Sequence, residues 1–215
     1  MAARPAYLRD PEAIYALSFE RVRHAVDLGR FPADVAEIVL RVVHACGMPE
    51  IARDIRCSGD IGAKAVAALR GGAPVICDCA MVAAGITRRF LPAQNEIIMT
   101  LNDDGVADKA AALGTTRSAA AVEFWRPSLD GAVVAIGNAP TALFHLLERL
   151  DEGWPVPAAI LAFPVGFVGA AESKAELAAN PPAHSSYMCL DGTRGGSAMA
   201  SASVNAAALL AGRKE

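Results

Sequence analysis

The chain contains no run of about 20 apolar, uncharged residues, the length a membrane-spanning helix requires. Its opening stretch, MAARPAYLRDPEA, has neither an apolar core nor a small-residue cleavage pattern. A cytoplasmic protein with no membrane partner is expected. Lysine is scarce, four residues against sixteen arginines, and the formal net charge is −3. That balance offers nucleic acid no electrostatic foothold. The five cysteines, Cys46, Cys57, Cys77, Cys79 and Cys189, are odd in number and scattered, which favours reduced thiols over a disulfide framework. Cys77 and Cys79 lack the second pair that a structural zinc site needs, so no metal is expected. No GxGxxG follows the first apolar run, and neither GxxxxGK[ST] nor GxSxG occurs anywhere. Dinucleotide, P-loop and hydrolase-elbow readings therefore lack the sequences that would carry them.

What the chain does have is apolar surface. It is 53% hydrophobic and 20% charged, with a mean hydropathy of +0.32. For a soluble protein this points to burial in an oligomer interface as well as in a core, and a dimer is expected. Its 215 residues fit one large domain, 1–215.

Residues 11–28 and 33–45 have helical periodicity, with Tyr15, Phe19, Val22 and Val26 on one face and Val35, Ile38, Val39 and Val42 on another. Two more helical stretches follow, near 49–55 and 58–71. Short apolar runs then recur: APVICD, EIIMTL (96–101), AVVAIG (132–137), AAILAF (158–163) and SYMCL (186–190). Each leads into a polar or glycine-rich turn and a helical segment. Strands alternating with helices predict an α/β fold, a mostly parallel sheet flanked by helices. Ligands of such sheets gather where the strands end, so the functional residues are expected just after these runs.

Asp78, Asn102 with Asp103, GNAPT, PVGFVGAAESK and DGTRGGSAMASAS stand there. Three of these turns feed helix N-termini, whose unpaired N–H groups favour anions. Small residues from Gly192 to Ser203 either let a ligand approach the backbone or let a helix pack closely, and Ser197 can cap or donate. Within GTTRSAAAVEFW, Arg117 sits in a first helical turn, where its charge opposes the helix dipole. An anionic ligand explains it better. The arginine surplus reads equally as a GC-rich genome or as a set of carboxylate clamps. His44, in RVVHACG, sits in a last helical turn before Gly47, a position that suits a structural histidine or a catalytic one.

Taken together, RVVHACG, CDCAMVAAGITRR, TTRSAAAVEFW, AIGNAPTALFHLLE, FPVGFVGAAESK and GTRGGSAMASASVNA resemble the precorrin-8X methylmutases of cobalamin biosynthesis, in order and spacing from about residue 7 to 210. The resemblance implies an isomerase that moves a methyl group from C11 to C12 of the corrinoid ring, giving hydrogenobyrinic acid or, in the anaerobic route, its cobalt counterpart. No cofactor is implied. It further implies a homodimer of Rossmann-like subunits with the ligand near the interface, N-terminal helices contributing to the site, and His44 as catalytic residue with Ser18, Thr87 and Arg117 touching substrate. N–H groups around Asn138 and from Gly195 and Gly196 to Ser197 are expected to hold the carboxylates of the rim. A 1,5-shift needs no nucleophile, only a proton on a ring nitrogen, so His44 is expected in its protonated form, favoured by the helix C-terminus and the bound carboxylates.

Residues 180–193 match the family pattern least. Where relatives often carry a basic residue, this chain has Asp191, and Arg194 is the expected replacement. Two other functions fit the residues taken singly: a nucleotide or sugar-phosphate enzyme, and a corrinoid carrier without activity.

Overall fold

The computed structural model describes residues 7–213. Residues 1–6 of the opening stretch, and the last two residues of the expected 1–215 domain, lie outside the described residues. The chain order is α1 (Pro11–Ala25), α2 (Ala33–Cys46), a 3₁₀ turn (Pro49–Asp54), β1 (Ile55–Cys57), α3 (Ile61–Arg70), β2 (Val75–Cys77), α4 (Ala80–Gly85), β3 (Ile97–Ile98), α5 (Val106–Leu113), α6 (Arg117–Val122), β4 (Val133–Ile136), α7 (Pro140–Asp151), β5 (Ala159–Ala162), α8 (Ala170–Ala179), β6 (Ser186–Leu190) and α9 (Ser197–Ala211). The six strands pair in the order β1-β6-β5-β4-β2-β3. All pairings are parallel except that of β1 with β6.

The predicted α/β architecture is thus present, and all five apolar runs supply strands. The sixth strand, β1, is a correction to the helical reading that ran to residue 55. Pro49–Asp54 is a 3₁₀ turn, and Ile55–Cys57 then pairs antiparallel with the end of β6.

Alternation along the strands sorts side chains onto two faces, as the two-residue period requires. Val75, Cys77, Val133, Ala135, Leu161 and Met188 pack with α2, α3, α4 and α9. Ile76, Val134, Ile136, Ile160, Ala162 and Cys189 pack with α7, Trp125 and Leu177. Val35, Ile38, Val39 and Val42 of α2 are fully buried, as their spacing predicts. α9 runs through the first layer and admits close neighbours only because those neighbours are small. A side-chain carbon on Gly137 would lie 2.7 Å from the Ser197 Cα, and one on Gly85 would lie 2.4 Å from the Ser201 hydroxyl.

α1 departs from this scheme. Asp10 caps it, accepting the N–H groups of Glu12 and Ala13, and Pro11 opens it. None of its residues is buried, although the apolar spacing is real.

Candidate functional site

The sheet topology creates a switch point between β2 and β4, because the chain leaves β2 for β3 on one side and returns to β4 on the other. In open α/β sheets a ligand anion binds there. Here the protein fills the position itself. Asp78, 2% exposed just beyond β2, accepts the backbone N–H groups of Gly137 at 2.9 Å, Asn138 at 2.9 Å and Ala139 at 2.8 Å. Burial pushes its carboxyl above the usual range, and the three amides pull it back. The expectation that amides around Asn138 hold substrate carboxylates is therefore corrected: these amides are engaged, and Asn138 offers its exposed side chain.

The N-terminal turn of α9 is similarly selective. Gly195 is pressed against the chain, where a side-chain carbon would sit 2.3 Å from the Phe163 carbonyl oxygen, and Gly196 donates its N–H to that oxygen at 2.8 Å. Gly195 is thus there for packing, and the amide of Gly196 is not a free donor. Ser197 remains, lining a cavity and lying 3.5 Å from the Cys79 sulfur. Arg194 does not stand in for a basic residue at 191. Its guanidinium pairs with Glu50 at 3.3 Å and with Asp54, while Asp191 binds Arg56 at 2.7 Å.

Lys174, fully buried, ties two loops together. Its ammonium donates to the carbonyls of Pro164 at 3.0 Å and Arg194 at 2.5 Å. Burial without a carboxylate partner holds it down to about 8. The lysine in PVGFVGAAESK is therefore an internal strut for the loops after β5 and β6.

His44 sits in the last turn of α2, which Gly47 closes in the left-handed conformation, φ 69°, donating to Val43 O at 2.8 Å. Ser18 Oγ lies 2.9 Å from its Nδ1. Phe19 stacks on the imidazole, with ring centres 4.6 Å apart and planes at 23°, and Tyr15 meets it edge-on at 6.1 Å. The ring lines two cavities. One, of 420 Å³, is walled chiefly by Ile14, Leu17, Ser18, Val22 and Val43. The other, of 510 Å³, is walled by Arg41, Met81, Gly85, Ser197 and Asn205. Loss of water from the face under Phe19, and then the charge of Arg41, lower the pKa of His44. In the unliganded chain these two effects work against the protonated ring, whereas the protonated form is expected with substrate carboxylates bound.

Thr87 does not line the second cavity but is bonded to Asn205, which does: Asn205 accepts the Thr87 N–H at 2.8 Å and donates to Gly85 O at 2.9 Å. Arg117, exposed at the start of α6, donates to Leu101 O at 3.0 Å and Asn102 Oδ1 at 3.4 Å. It and Asn138 share the strand-end edge of the sheet but line neither cavity at His44. The structure therefore sets Ser18 against the His44 imidazole and Ser197 in a cavity wall shared with it, whereas Thr87 lines neither cavity and is tied to the second only through Asn205. Tyr15, Phe19, Arg41 and Asn205 were missed as site residues. Arg41 and Asn205 lie inside the stretches RVVHACG and GTRGGSAMASASVN, and Phe19 adjoins Ser18.

Among the described residues no helix is long and apolar enough to cross a membrane. None of them forms a group of three or more His, Cys, Asp or Glu placed to hold a metal ion.

Comparison with known proteins bears on this geometry. The precorrin-8X methylmutase family model matches residues 13–210. The precorrin-8X methylmutase of Pseudomonas aeruginosa is 55% identical over 202 residues, covering 94% of this chain and 97% of the relative. That of a Sinorhizobium species is 52% identical, covering 94% and 96%. A solved precorrin-8X methylmutase from Thermus thermophilus superposes with a TM-score of 0.82 at 33% identity, covering 94% of this chain and 96% of that one. With a family model spanning nearly all of the chain, and identity above one half to relatives of the same length, the chain belongs to the precorrin-8X methylmutase family.

Proposed function

We propose that this chain moves the methyl group of precorrin-8X from C11 to C12, giving hydrogenobyrinic acid, with His44 as the proton donor. The observation that carries this reading is the placement of one imidazole, bonded through Nδ1 to Ser18, in the wall of two cavities in a chain of this family. With Nδ1 occupied, Nε2 is the nitrogen left to reach the substrate. Protonating a ring nitrogen draws electron density from the macrocycle and favours the rearranged, re-conjugated product. The proton then returns to the imidazole, so the step is an isomerisation with no net change in redox state.

Ser18, Thr87 and Ser197 are proposed to contact the macrocycle near His44, and Arg117 and the Asn138 side chain to reach its rim from the strand-end edge. Gly195 and Gly196 serve by shaping the turn that presents Ser197. A ring nitrogen must keep its lone pair to accept a proton, and a central cobalt would occupy it, so this chemistry favours the metal-free substrate.

The reading extends to a homodimer in the cytoplasm. α1 leaves Ile14 45% and Tyr15 47% exposed, and the loop after β5 leaves Phe167 93% and Val168 89% exposed. A second copy covering these apolar residues would complete the walls around His44. Sedimentation equilibrium of the native chain tests this, with a monomer at micromolar concentration as the contrary result.

Incubation with precorrin-8X tests the activity. The expected result is a changed chromophore at unchanged mass, with the His44→Ala variant binding substrate and losing about 10²- to 10⁴-fold in rate, the range for general acid catalysis. Tight binding with an unchanged chromophore in the wild type would indicate a carrier.

A further inference from the structure

Arg41 opens the RVVHACG stretch three residues before His44, so the two side chains share one face of α2. Its guanidinium carbon lies 5.1 Å from the centre of the Phe19 ring, the ring that also stacks on His44, and it donates to the Tyr15 hydroxyl. Both Arg41 and His44 line the 510 Å³ cavity. Among the described residues no carboxylate neutralises this guanidinium. Glu37, one helical turn back, is taken by Arg23 at 2.6 Å, and no acidic side chain among the described residues forms an ion pair with Arg41. A half-buried, unneutralised guanidinium in a cavity wall is built to receive an anion, and its planar fork matches a carboxylate.

The charges around His44 are few. From α1 it faces Ser18, Tyr15 and Phe19, and Arg21 shares its apolar cavity. From α2 it faces Arg41, with Cys46 two residues on. α4 and α9 present uncharged side chains, Met81, Ser197 and Asn205 among them. Arg41 is thus the neighbouring charge whose state a ligand can change.

We propose that Arg41 binds a carboxylate arm of the corrinoid and that His44 takes up a proton as this ion pair forms. The inference rests on His44 being the proton donor. In the free chain the guanidinium repels an imidazolium. Once a carboxylate pairs with it that repulsion is cancelled, and a proton from the buffer adds to the free imidazole nitrogen. That proton then passes to the substrate nitrogen, whose lone pair forms the new N–H bond while the imidazole returns to neutral. The site charges its acid only when substrate is present.

Hydrogenobyrinic acid is the probe, because it binds without reacting further. Calorimetric titration in buffers of different ionisation enthalpy, at a pH where free His44 is neutral, should show proton uptake by the wild type. Arg41→Gln should bind the probe about 10- to 100-fold more weakly, the range for a lost hydrogen bond to a charged group, and should take up fewer protons. The NMR titration of His44 in free Arg41→Gln should shift to higher pH, whereas Arg41→Lys, which keeps the charge, should titrate like the wild type and bind with intermediate affinity. Wild-type affinity in Arg41→Gln overturns the anchor, and wild-type proton uptake overturns its coupling to His44. Uptake that persists in His44→Ala overturns the assignment of His44 as the acid, while the affinity of Arg41→Gln still decides the anchor separately.

Discussion

Ser18 and His44, 26 residues apart on two successive helices, meet through a 2.9 Å contact between a hydroxyl and Nδ1. That contact fixes which imidazole nitrogen points away from α1. When the ring is protonated, its Nδ1–H donates to Ser18 and its Nε2–H is left to serve as the acid. Ser18→Ala should therefore lower kcat by about 10- to 100-fold, the equivalent of one hydrogen bond to a charged group, with KM changed far less. An equal loss in KM with kcat intact would make Ser18 a binding residue only.

Arg117 makes two hydrogen bonds to neutral acceptors and is exposed beside the loop after β3. If its remaining donors take a rim carboxylate, Arg117→Ala should weaken product binding by about 1.5–3 kcal/mol. Fluorescence or absorbance titration with hydrogenobyrinic acid reads this directly. Unaltered affinity in a folded variant would remove Arg117 from the site.

The cysteines should be dispensable for chemistry. Burial pushes the thiols of Cys46, Cys57 and Cys77 up and that of Cys189 up to about 12, away from the thiolate form that nucleophilic chemistry needs. Cys46 donates to its own helix at Val43 O, 3.5 Å away. A variant with all five replaced by Ala or Ser should keep wild-type turnover if it folds. Loss of turnover on Cys46→Ser alone would sink the proton-transfer mechanism.

The strands from β2 onward were legible because each is apolar on both faces and bounded by turn residues, as APVICD and AVVAIG show. β1 was not. It is three residues long with Arg56 at its centre, and only its pairing with Cys189 across 133 residues makes it a strand. The family resemblance pointed to His44, Ser18 and Ser197, and the structure sets Ser18 against the His44 ring and Ser197 in a cavity wall that His44 shares. The motifs could not reveal that the amides near Asn138 belong to Asp78, since that depends on β2 and β4 being neighbours across a crossover. Nor could they show the downward shift of the His44 pKa, which follows from burial of the ring and from Arg41 one turn away.

Asp78 should matter for stability more than for chemistry. Its two oxygens satisfy three N–H groups just before α7, those of Gly137 and Ala139 buried and that of Asn138 part-buried. Asp78→Ala leaves the two buried amides unpaired, at about 1 kcal/mol or more each, so a loss of at least about 2 kcal/mol is expected. Asp78→Asn presents an NH₂ group to donors and should recover only part of it. Urea unfolding of the three proteins reads the order, and an Asn variant as stable as the wild type would contradict the acceptor role.

Lys174 gives a pH dependence with a definite sign. Its folded pKa, about 8, lies below the ordinary lysine value of 10.5, because its ammonium is buried against two carbonyls with no carboxylate. Between these two values the unfolded chain binds more protons than the folded one, so stability from this group rises with pH across that window. Below pH 8 both forms are protonated and the full cost of burying the charge remains. Above pH 8 the amine goes neutral and still has two N–H groups for Pro164 and Arg194. Lys174→Met does not titrate, and Cys189, the thiol that this ammonium pulls down, is still held up to about 12, above the pH range compared. The stability of the wild type relative to Lys174→Met, from urea unfolding, should therefore increase between pH 7.5 and pH 10. The variant should also release the loops after β5 and β6, seen as faster hydrogen exchange at Gly166 and Gly196, whose amides bond Thr193 O and Phe163 O. A flat difference across that pH range would mean that the lysine carries no unusual burial cost, and unchanged exchange would mean that it is not the strut.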